Sequence, residues 1–302
     1  MTHALVAAFC SPFGLVLAFV WGAVWGSFHN VVIVWGLGQR QSLVFPGSHC
    51  LSCGTPIKPW DNIPILSYLV LRGRCRACHE RFSVRYFIVE LLGALLALGL
   101  YARVVLPGCT EQEFWGRLAT FIVYEKLAGF LVVVSAIDIE SLLIPNRLTY
   151  PAIPVAMVLS FLLPLPSWWD GLVGAVAGYG IIWLIATIYA LVRGRPGMGF
   201  GDAKLLAVIG AILGWRLLPL TLFLASLQGS IVGLLGAYLG SRFVRNGEQL
   251  GRVLAGEDPP PADVNPARLR FAAVPFGPFL ALAAIEVLFL GEIVGQAFTF
   301  VP

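Results

Sequence analysis

Apolar residues gather into eight runs along the chain, at 13–34, 86–106, 118–137, 148–165, 172–192, 203–218, 220–240 and 271–293. A helix needs about 20 such residues to cross the hydrocarbon core of a bilayer. The pattern therefore predicts an all-α polytopic membrane protein with about eight transmembrane helices. Only Trp215, Arg216 and Pro219 mark the turn between the sixth and seventh runs. Two longer polar stretches interrupt the series. The first, 36–85, holds SHCLSCG and GRCRACHE and reads as a small domain; the second, 241–270, holds EDPPPADVNP, whose prolines and acids read as an irregular loop. The predicted organisation is a first span at 1–35, a polar domain at 36–85, and a membrane bundle at 86–302 with a loop at 241–270. No internal repeat is visible.

Composition agrees with the pattern. Of 302 residues 58% are hydrophobic and only 12% charged, against roughly 25% charged in soluble domains. Sixteen of the 20 Lys and Arg fall on alternate loops or, for Lys204, at the mouth of the run that follows one, beginning with Arg40, and cytoplasmic loops are the ones enriched in these residues. Both termini are then outside, and the 36–85 domain, Asp138, Asp202 and the 241–270 loop are cytoplasmic. Because no Lys or Arg precedes the first run, that run reads as an anchor and not as a cleaved signal peptide. The net charge of +4 reports this topology and gives no reason to expect a nucleic-acid partner.

Two aspartates stand where a membrane protein tolerates them least. Asp138 closes the apolar run VVVSAIDIE, and Asp202, in GMGFGDAK, directly precedes LLAVIGAILG. Desolvating a carboxylate is costly, so ionisable groups at the mouths of spans are functional candidates. Two carboxylates holding one proton supply a base to take a proton from water and an acid to protonate the leaving amine of an amide. Aspartic proteases work in this way. Gly199 and Gly201 flank Phe200 just ahead of Asp202, and missing side chains there let a substrate backbone come close. The competing reading is that each Asp caps a helix N-terminus. It fits Asp202, and it fits Asp138 poorly, since a negative charge at the end of a helix opposes the helix dipole.

The polar domain carries Cys50, Cys53, Cys75 and Cys78, two C-x2-C pairs. Four thiolates so spaced suit a tetrahedral zinc ion; the other readings are two disulfides, which a reducing cytoplasm disfavours, or four idle thiols. A closed four-thiolate site is structural and would hold together a domain with little apolar content. His49 and His79 adjoin these cysteines and are not needed as ligands. Cys10 and Cys109 fall near the outer face, where a disulfide is chemically allowed, although lone buried cysteines are common; whether they pair is open.

Taken in order, GSFHNVVI, FPGSHCLSCG, PWDNIPILSYLVLRGRCRACHERFSVRYFIVELL, AIDIESLLIPN, GFGDAKLLAVIGAILGW and VPFGPFLALA resemble the type IV prepilin leader peptidases over nearly the whole chain. The resemblance implies a bifunctional aspartic endopeptidase (prepilin peptidase) and N-methyltransferase of the bacterial inner membrane. It would cleave the leader of type IV prepilins and pseudopilins at the cytoplasmic face and methylate the new N-terminal residue, serving type IV pili or type II secretion. It makes Asp138 and Asp202, the latter in a GxGD motif, the catalytic pair. It also implies zinc on the four cysteines and S-adenosylmethionine as methyl donor. The chain departs from the family pattern at His29, Phe87 and Asn146. No glycine-rich nucleotide fingerprint follows a strand, so the methyl donor is placed on the cytoplasmic domain by elimination. Asp61, Asn62, Arg85, Tyr86 and Glu90 are the candidates, each of which serves equally well as a docking contact between domain and bundle.

Other charged residues in apolar runs, Glu125, Lys126 and Glu286, read as interhelical polar contacts. Neighbours at i and i+1 do not face each other on a helix, so Glu125 and Lys126 are expected to seek different partners. Two other functions compete with the preferred one. One is a peptidase without methyl transfer; the other is an ion-coupled membrane transporter, which predicts carboxylates at the bilayer midplane and repeated halves.

Overall fold

Each of the eight apolar runs carries a helix in the computed structural model, which describes residues 2–39, 42–44, 47–50, 52–107, 109–164, 167–194, 199–239 and 275–298. The helices are α1 Thr2–Phe9, α2 Pro12–Gly36, α3 Leu66–Val70, α4 Val84–Val104, α5 Glu111–Ser141, α6 Asn146–Ser160, α7 Trp168–Arg193, α8 Phe200–Leu213, α9 Leu218–Leu239 and α10 Gly277–Phe298. No strand occurs among the described residues, only the isolated bridges His49–Pro56 and Arg74–Arg81. Five helices are long and apolar enough to cross a membrane: α2, α4, α5, α7 and the stretch Trp215–Leu235 that includes most of α9. The expected loop at 241–270 lies outside the described residues.

The chain groups into two compact units. The first is Met1–Val133 with Pro154–Trp168, and the second Val134–Ile153 with Trp169–Pro302. In the first, Ser11 starts α2 by accepting the Phe13 N–H, with Pro12 at the first helical position, where its missing donor costs nothing. One face of α2 then repeats small residues every fourth position, Gly14, Ala18, Gly22 and Gly26, all buried. Against it α4 sets Gly93, Ala94 and Ala97; a Cβ on Gly22 would lie 2.3 Å from the Gly93 carbonyl oxygen. Such seams let helix backbones touch in a bilayer, where no hydrophobic force drives helices together. Asn30 fastens the other end of the pair, donating from Nδ2 to Tyr86 O at 3.0 Å.

Cys10 and Cys109 form a disulfide, with Cα atoms 5.9 Å apart. It ties the start of α2 to the α4–α5 connection and settles the pairing that sequence leaves open. The short α1, which no apolar run announces, packs back through Phe9, whose carbonyl accepts the Tyr101 hydroxyl at 2.9 Å.

The second unit is organised around α8. At 14 residues it reaches about 21 Å, short of a bilayer's hydrocarbon thickness of about 30 Å. Length does not constrain it, because every residue from Asp202 to Leu213 is buried and the helix is enclosed by protein. A second small-residue seam makes that enclosure close: a Cβ on Gly174 of α7 would lie 2.1 Å from Gly210 O, and one on Gly178 would lie 2.5 Å from Leu206 O. Glu286 of α10 accepts from Gln228 Nε2 of α9 at 2.7 Å, the interhelical contact expected of it.

Candidate active site and cysteine cluster

Asp138 and Asp202 both lie in the second unit and both are buried. Asp138 sits in the last turn of α5; the Leu142 N–H closes that turn on Asp138 O at 2.8 Å, and Leu142 takes φ 52°. Its carboxylate is not left facing the negative end of its own helix. Oδ2 accepts the N–H of Gly277, the first residue of α10, at 3.0 Å. The positive end of α10 thereby compensates a charge that α5 disfavours. Asp138 does cap a helix, contrary to the reading of the sequence, but a helix 139 positions away.

Asp202 is the third residue of α8, after the N-cap Gly199, and no side chain caps this terminus. Its neighbour Gly201 and the distant Gly277 face the same side chain. A Cβ on Gly201 would meet Ile144 Cβ at 2.9 Å, and one on Gly277 would meet Ile144 Cδ1 at 3.3 Å and Asp138 Oδ2 at 2.6 Å. Ile144 thus packs between the glycines beside the two aspartates. Gly199 and Phe200 are exposed, whereas Gly201, directly before Asp202, is packed against Ile144. Asn146 starts α6 and accepts from the buried ammonium of Lys204, whose Nζ also lies 4.4 Å from the Tyr150 ring centroid. This bond pins the Ile144 loop to α8. Sequence reading missed Gly277, Ile144 and Lys204, although VPFG and DAK hold two of them.

In the first unit the four cysteines come together with all four Sγ atoms within 4.8 Å of one another. Cys50 and Cys78 sulfurs are 3.7 Å apart, and Cys53 and Cys75 sulfurs 4.0 Å. Tetrahedral zinc with Zn–S bonds near 2.3 Å requires about 3.8 Å between sulfurs, so the donor set fits that ion. The two pairs are built alike. Gly54 N–H bonds to Cys50 O and His79 N–H to Cys75 O; Cys50 N–H bonds to Thr55 O and Cys75 N–H to Glu80 O. Gly54 has φ 70° and His79 φ 59°. Hydrogen bonding with the Thr55 side chain and backbone brings the Cys53 thiol down to about 6. A backbone bond from Glu80 favours the Cys78 thiolate, but desolvation and the neighbouring thiols push it up to about 12. A divalent cation binds cysteine as thiolate, so its arrival at this cluster would release whatever protons the thiols carry. His49 and His79 stay apart from the cluster's ligand set.

The five methyl-donor candidates also lie in the first unit, where several have structural partners. Asp61 takes a two-pronged bond from Arg76, Nη2 to Oδ1 at 2.6 Å and Nε to Oδ2 at 2.9 Å, and Arg76 holds its carboxyl below the usual range. This pins the 3-10 turn Pro59–Asn62 to the second cysteine pair. Glu90 Oε2 accepts the Ile65 N–H at 2.7 Å. Ile65, with φ 65° and ψ −54°, sits in a γ-turn closed by Leu66 N–H to Pro64 O, a strained form that a β-branched residue rarely adopts. The Tyr86 carbonyl accepts from Asn30, and the Arg85 guanidinium lies 5.4 Å from the Tyr86 ring. Neither of the two cavities described on the module is lined by any of the five.

Glu125 and Lys126 depart from expectation. They pair with each other at 2.8 Å, and the Lys126 ammonium lies 3.1 Å from the Trp25 ring centroid. In an apolar bundle a long lysine stem curls back to the nearest carboxylate, since no water offers an alternative. His29 is buried against Gly129, where a Cβ would meet its ring at 2.3 Å.

Residues 20–104 match the family model described as Bacterial Peptidase A24 N-terminal domain, and residues 126–234 match that described as Type IV leader peptidase family. The chain is similar to a prepilin leader peptidase/N-methyltransferase of Pseudomonas putida, 36% identical over 304 residues and covering 92% of each chain. A protein of the same name from Aeromonas hydrophila is 35% identical over 299 residues, 91% of this chain and 90% of that one. Another, from Burkholderia pseudomallei strain K96243, is 34% identical over 314 residues, 95% of this chain and 89% of that one. No solved structure matches the chain significantly.

Proposed function

Because the chain belongs to the type IV leader peptidase family, we propose that it cleaves the leader of type IV prepilins and pseudopilins and N-methylates the residue so exposed. The observation that carries the peptidase reading is that two buried aspartates, Asp138 and Asp202, stand beside Gly277 and Gly201, whose positions both pack on Ile144. Asp138, whose Oδ2 receives the Gly277 amide, suits the base that takes a proton from water. Asp202 suits the acid that protonates the departing amine. The water oxygen bonds to the scissile carbonyl carbon, the C–N bond breaks, and the two carboxyl groups end with the proton count they began with. The exposed and uncrowded Gly199 leaves room for an extended backbone near Asp202.

The finer topology is part of the same proposal. The eight helices cross or enter the membrane, and the polar 36–85 domain and both aspartates lie on the cytoplasmic side. The cysteines support this. The one disulfide among the described residues joins the start of α2 to the connection after α4, and the four free thiols lie between the other ends of those helices. Disulfides form in the oxidising compartment. A chain that crosses through α5, which starts beyond Cys109, brings Asp138 back to the reducing side. The four cysteines hold one structural zinc, and methyl transfer from S-adenosylmethionine belongs to the cytoplasmic domain. The transporter alternative loses support from the location of both aspartates at helix ends.

The test is incubation of purified protein with a prepilin and labelled S-adenosylmethionine, read by mass spectrometry. A product both shortened and methylated is expected; a shortened, unmethylated one favours the peptidase alone, and an unchanged prepilin overturns the proposal. If the activities occupy separate sites, Asp138→Asn still methylates a pilin supplied already trimmed, and changes at Arg85 or Glu90 spare cleavage.

A further inference from the structure

The segment between the two cysteine pairs carries an apolar face that its own unit leaves uncovered. Trp60, Ile63, Leu66, Leu69 and Val70 are 46–74% exposed and recur every three or four residues, with one adjacent pair, from the 3-10 turn into α3. Contacts with α4 fix how deep this segment lies. Ile65 bonds to Glu90, six residues into α4 and about 9 Å along its axis. The Tyr68 ring stacks on Phe87, in the first turn, with centroids 5.4 Å apart. From Ile65 to Tyr68 the chain therefore runs beside the first two turns of a helix long and apolar enough to cross a bilayer.

That depth is the boundary between acyl chains and headgroups, where amphipathic elements rest with apolar side chains buried in lipid and tryptophan is enriched. After the apolar face come Arg72 and Arg74, both exposed, on the wall of a cavity of about 420 Å³ that Val70 and His79 also line. Positive φ at Arg72 (52°) and Gly73 (64°) makes the turn that sets them there, and a Cβ on Gly73 would strike the Tyr68 ring at 2.8 Å. Arg76, on the same wall, is engaged by Asp61; neither Arg72 nor Arg74 has a carboxylate partner among the described residues.

We propose that residues 59–74 form an interfacial element, with the apolar face in the leaflet beside the cysteine module and Arg72 and Arg74 on the phosphate of an anionic phospholipid. Lipid is the occupant because the face stands beside α4, whose own outward residues Val84, Ile88, Leu92 and Leu95 are 42–55% exposed and continue the same apolar surface along a helix long and apolar enough to cross a bilayer. The inference rests on α4 crossing the membrane and is independent of the peptidase reading.

The experiment uses the full chain in nanodiscs of phosphatidylcholine with phosphatidylglycerol. The photo-crosslinking residue p-benzoylphenylalanine is placed at Leu69, at Val24 on the exposed face of α2 as a lipid-facing control, and at Ser52 in the first cysteine pair as a polar control. Lipid adducts at positions 69 and 24 but not 52 are expected, with phosphatidylglycerol enriched at position 69. Arg72→Gln and Arg74→Gln should each reduce that enrichment by about fivefold, the worth of one basic residue at an anionic surface. Absence of lipid adducts at 69 while 24 reacts, or adducts there to a second copy of the chain, overturns the proposal; lipid adducts without enrichment overturn the headgroup site. A second readout leaves α3 untouched. Quenching of tryptophan fluorescence by brominated lipid should fall in Trp60→Phe, and an unchanged fraction quenched counts against interfacial placement.

Discussion

The cysteine cluster is assembled from residues at most 28 positions apart, and each of its halves is closed by backbone bonds within a few residues. The aspartate site draws on Asp138, Ile144, Gly201, Asp202 and Gly277, whose hydrogen-bonded ends are 139 positions apart. The first kind of site is written into local turns and needs only an ion to close it. The second exists only when α5, α8 and α10 are packed, and its geometry is held by the absence of side chains at two glycines. Damage to the two should therefore look different: loss of the ion undoes a fold, whereas a single added methyl disturbs chemistry on a standing scaffold.

The largest effect belongs to the carboxylates. Asp138→Asn and Asp202→Asn each keep the shape and remove the exchangeable proton, so cleavage of a prepilin should fall by at least about a thousandfold while membrane abundance is unchanged. Substantial cleavage by either variant removes that residue from the pair. Next comes Gly277→Ala. Its Cβ would lie 2.6 Å from Asp138 Oδ2, so the carboxylate must shift, and misplacement of a reacting group by about 1 Å costs on the order of a hundredfold in rate. The loss should appear in kcat for leader cleavage and not in methylation of a trimmed pilin. A variant with normal kcat would show that Asp138 reaches its working position without the α10 amide beside it.

Cys75→Ser tests the other half of the comparison. Elemental analysis should give one zinc per wild-type chain and a marked loss in the variant, with the 36–85 segment becoming sensitive to protease because metal binding supplies its folding energy. Leader cleavage should decline far less than in the aspartate variants, since no cysteine of the cluster belongs to the second unit. Zinc-free wild-type protein, prepared reduced, would return these thiols to an idle role.

What the sequence makes legible follows the same division. Apolar runs betray helices because desolvation acts residue by residue, and two C-x2-C pairs betray a cluster because the turn that makes each half is local. The Gly277 amide on Asp138 leaves no local trace. Nor does the Cys10–Cys109 bridge, 99 positions long, announce itself. The pairing of Glu125 with Lys126 escapes the helix-spacing rule for another reason. That rule describes where Cβ atoms point, not where a four-carbon stem goes when water is absent. The seams at Gly22 and Gly174 are present in the sequence as small residues, but which helix each one meets is decided only by packing.

The smallest effect compares the two cysteine pairs with each other. Both close through the same backbone bonds, and both place the residue after the second cysteine in the left-handed region, Gly54 at φ 70° in one and His79 at φ 59° in the other. A residue with a Cβ is penalised there by about 1 kcal/mol. Gly54→Ala should therefore weaken metal retention by about fivefold in competition with a chelator, the equivalent of that energy. His79→Gly should strengthen it, by less, roughly 0.5 kcal/mol, because glycine gives up more chain entropy on folding. The opposite signs are the point of the pair. If His79→Gly weakens retention instead, the imidazole contributes something that Gly54 does not, and the two halves are alike in backbone but not in function.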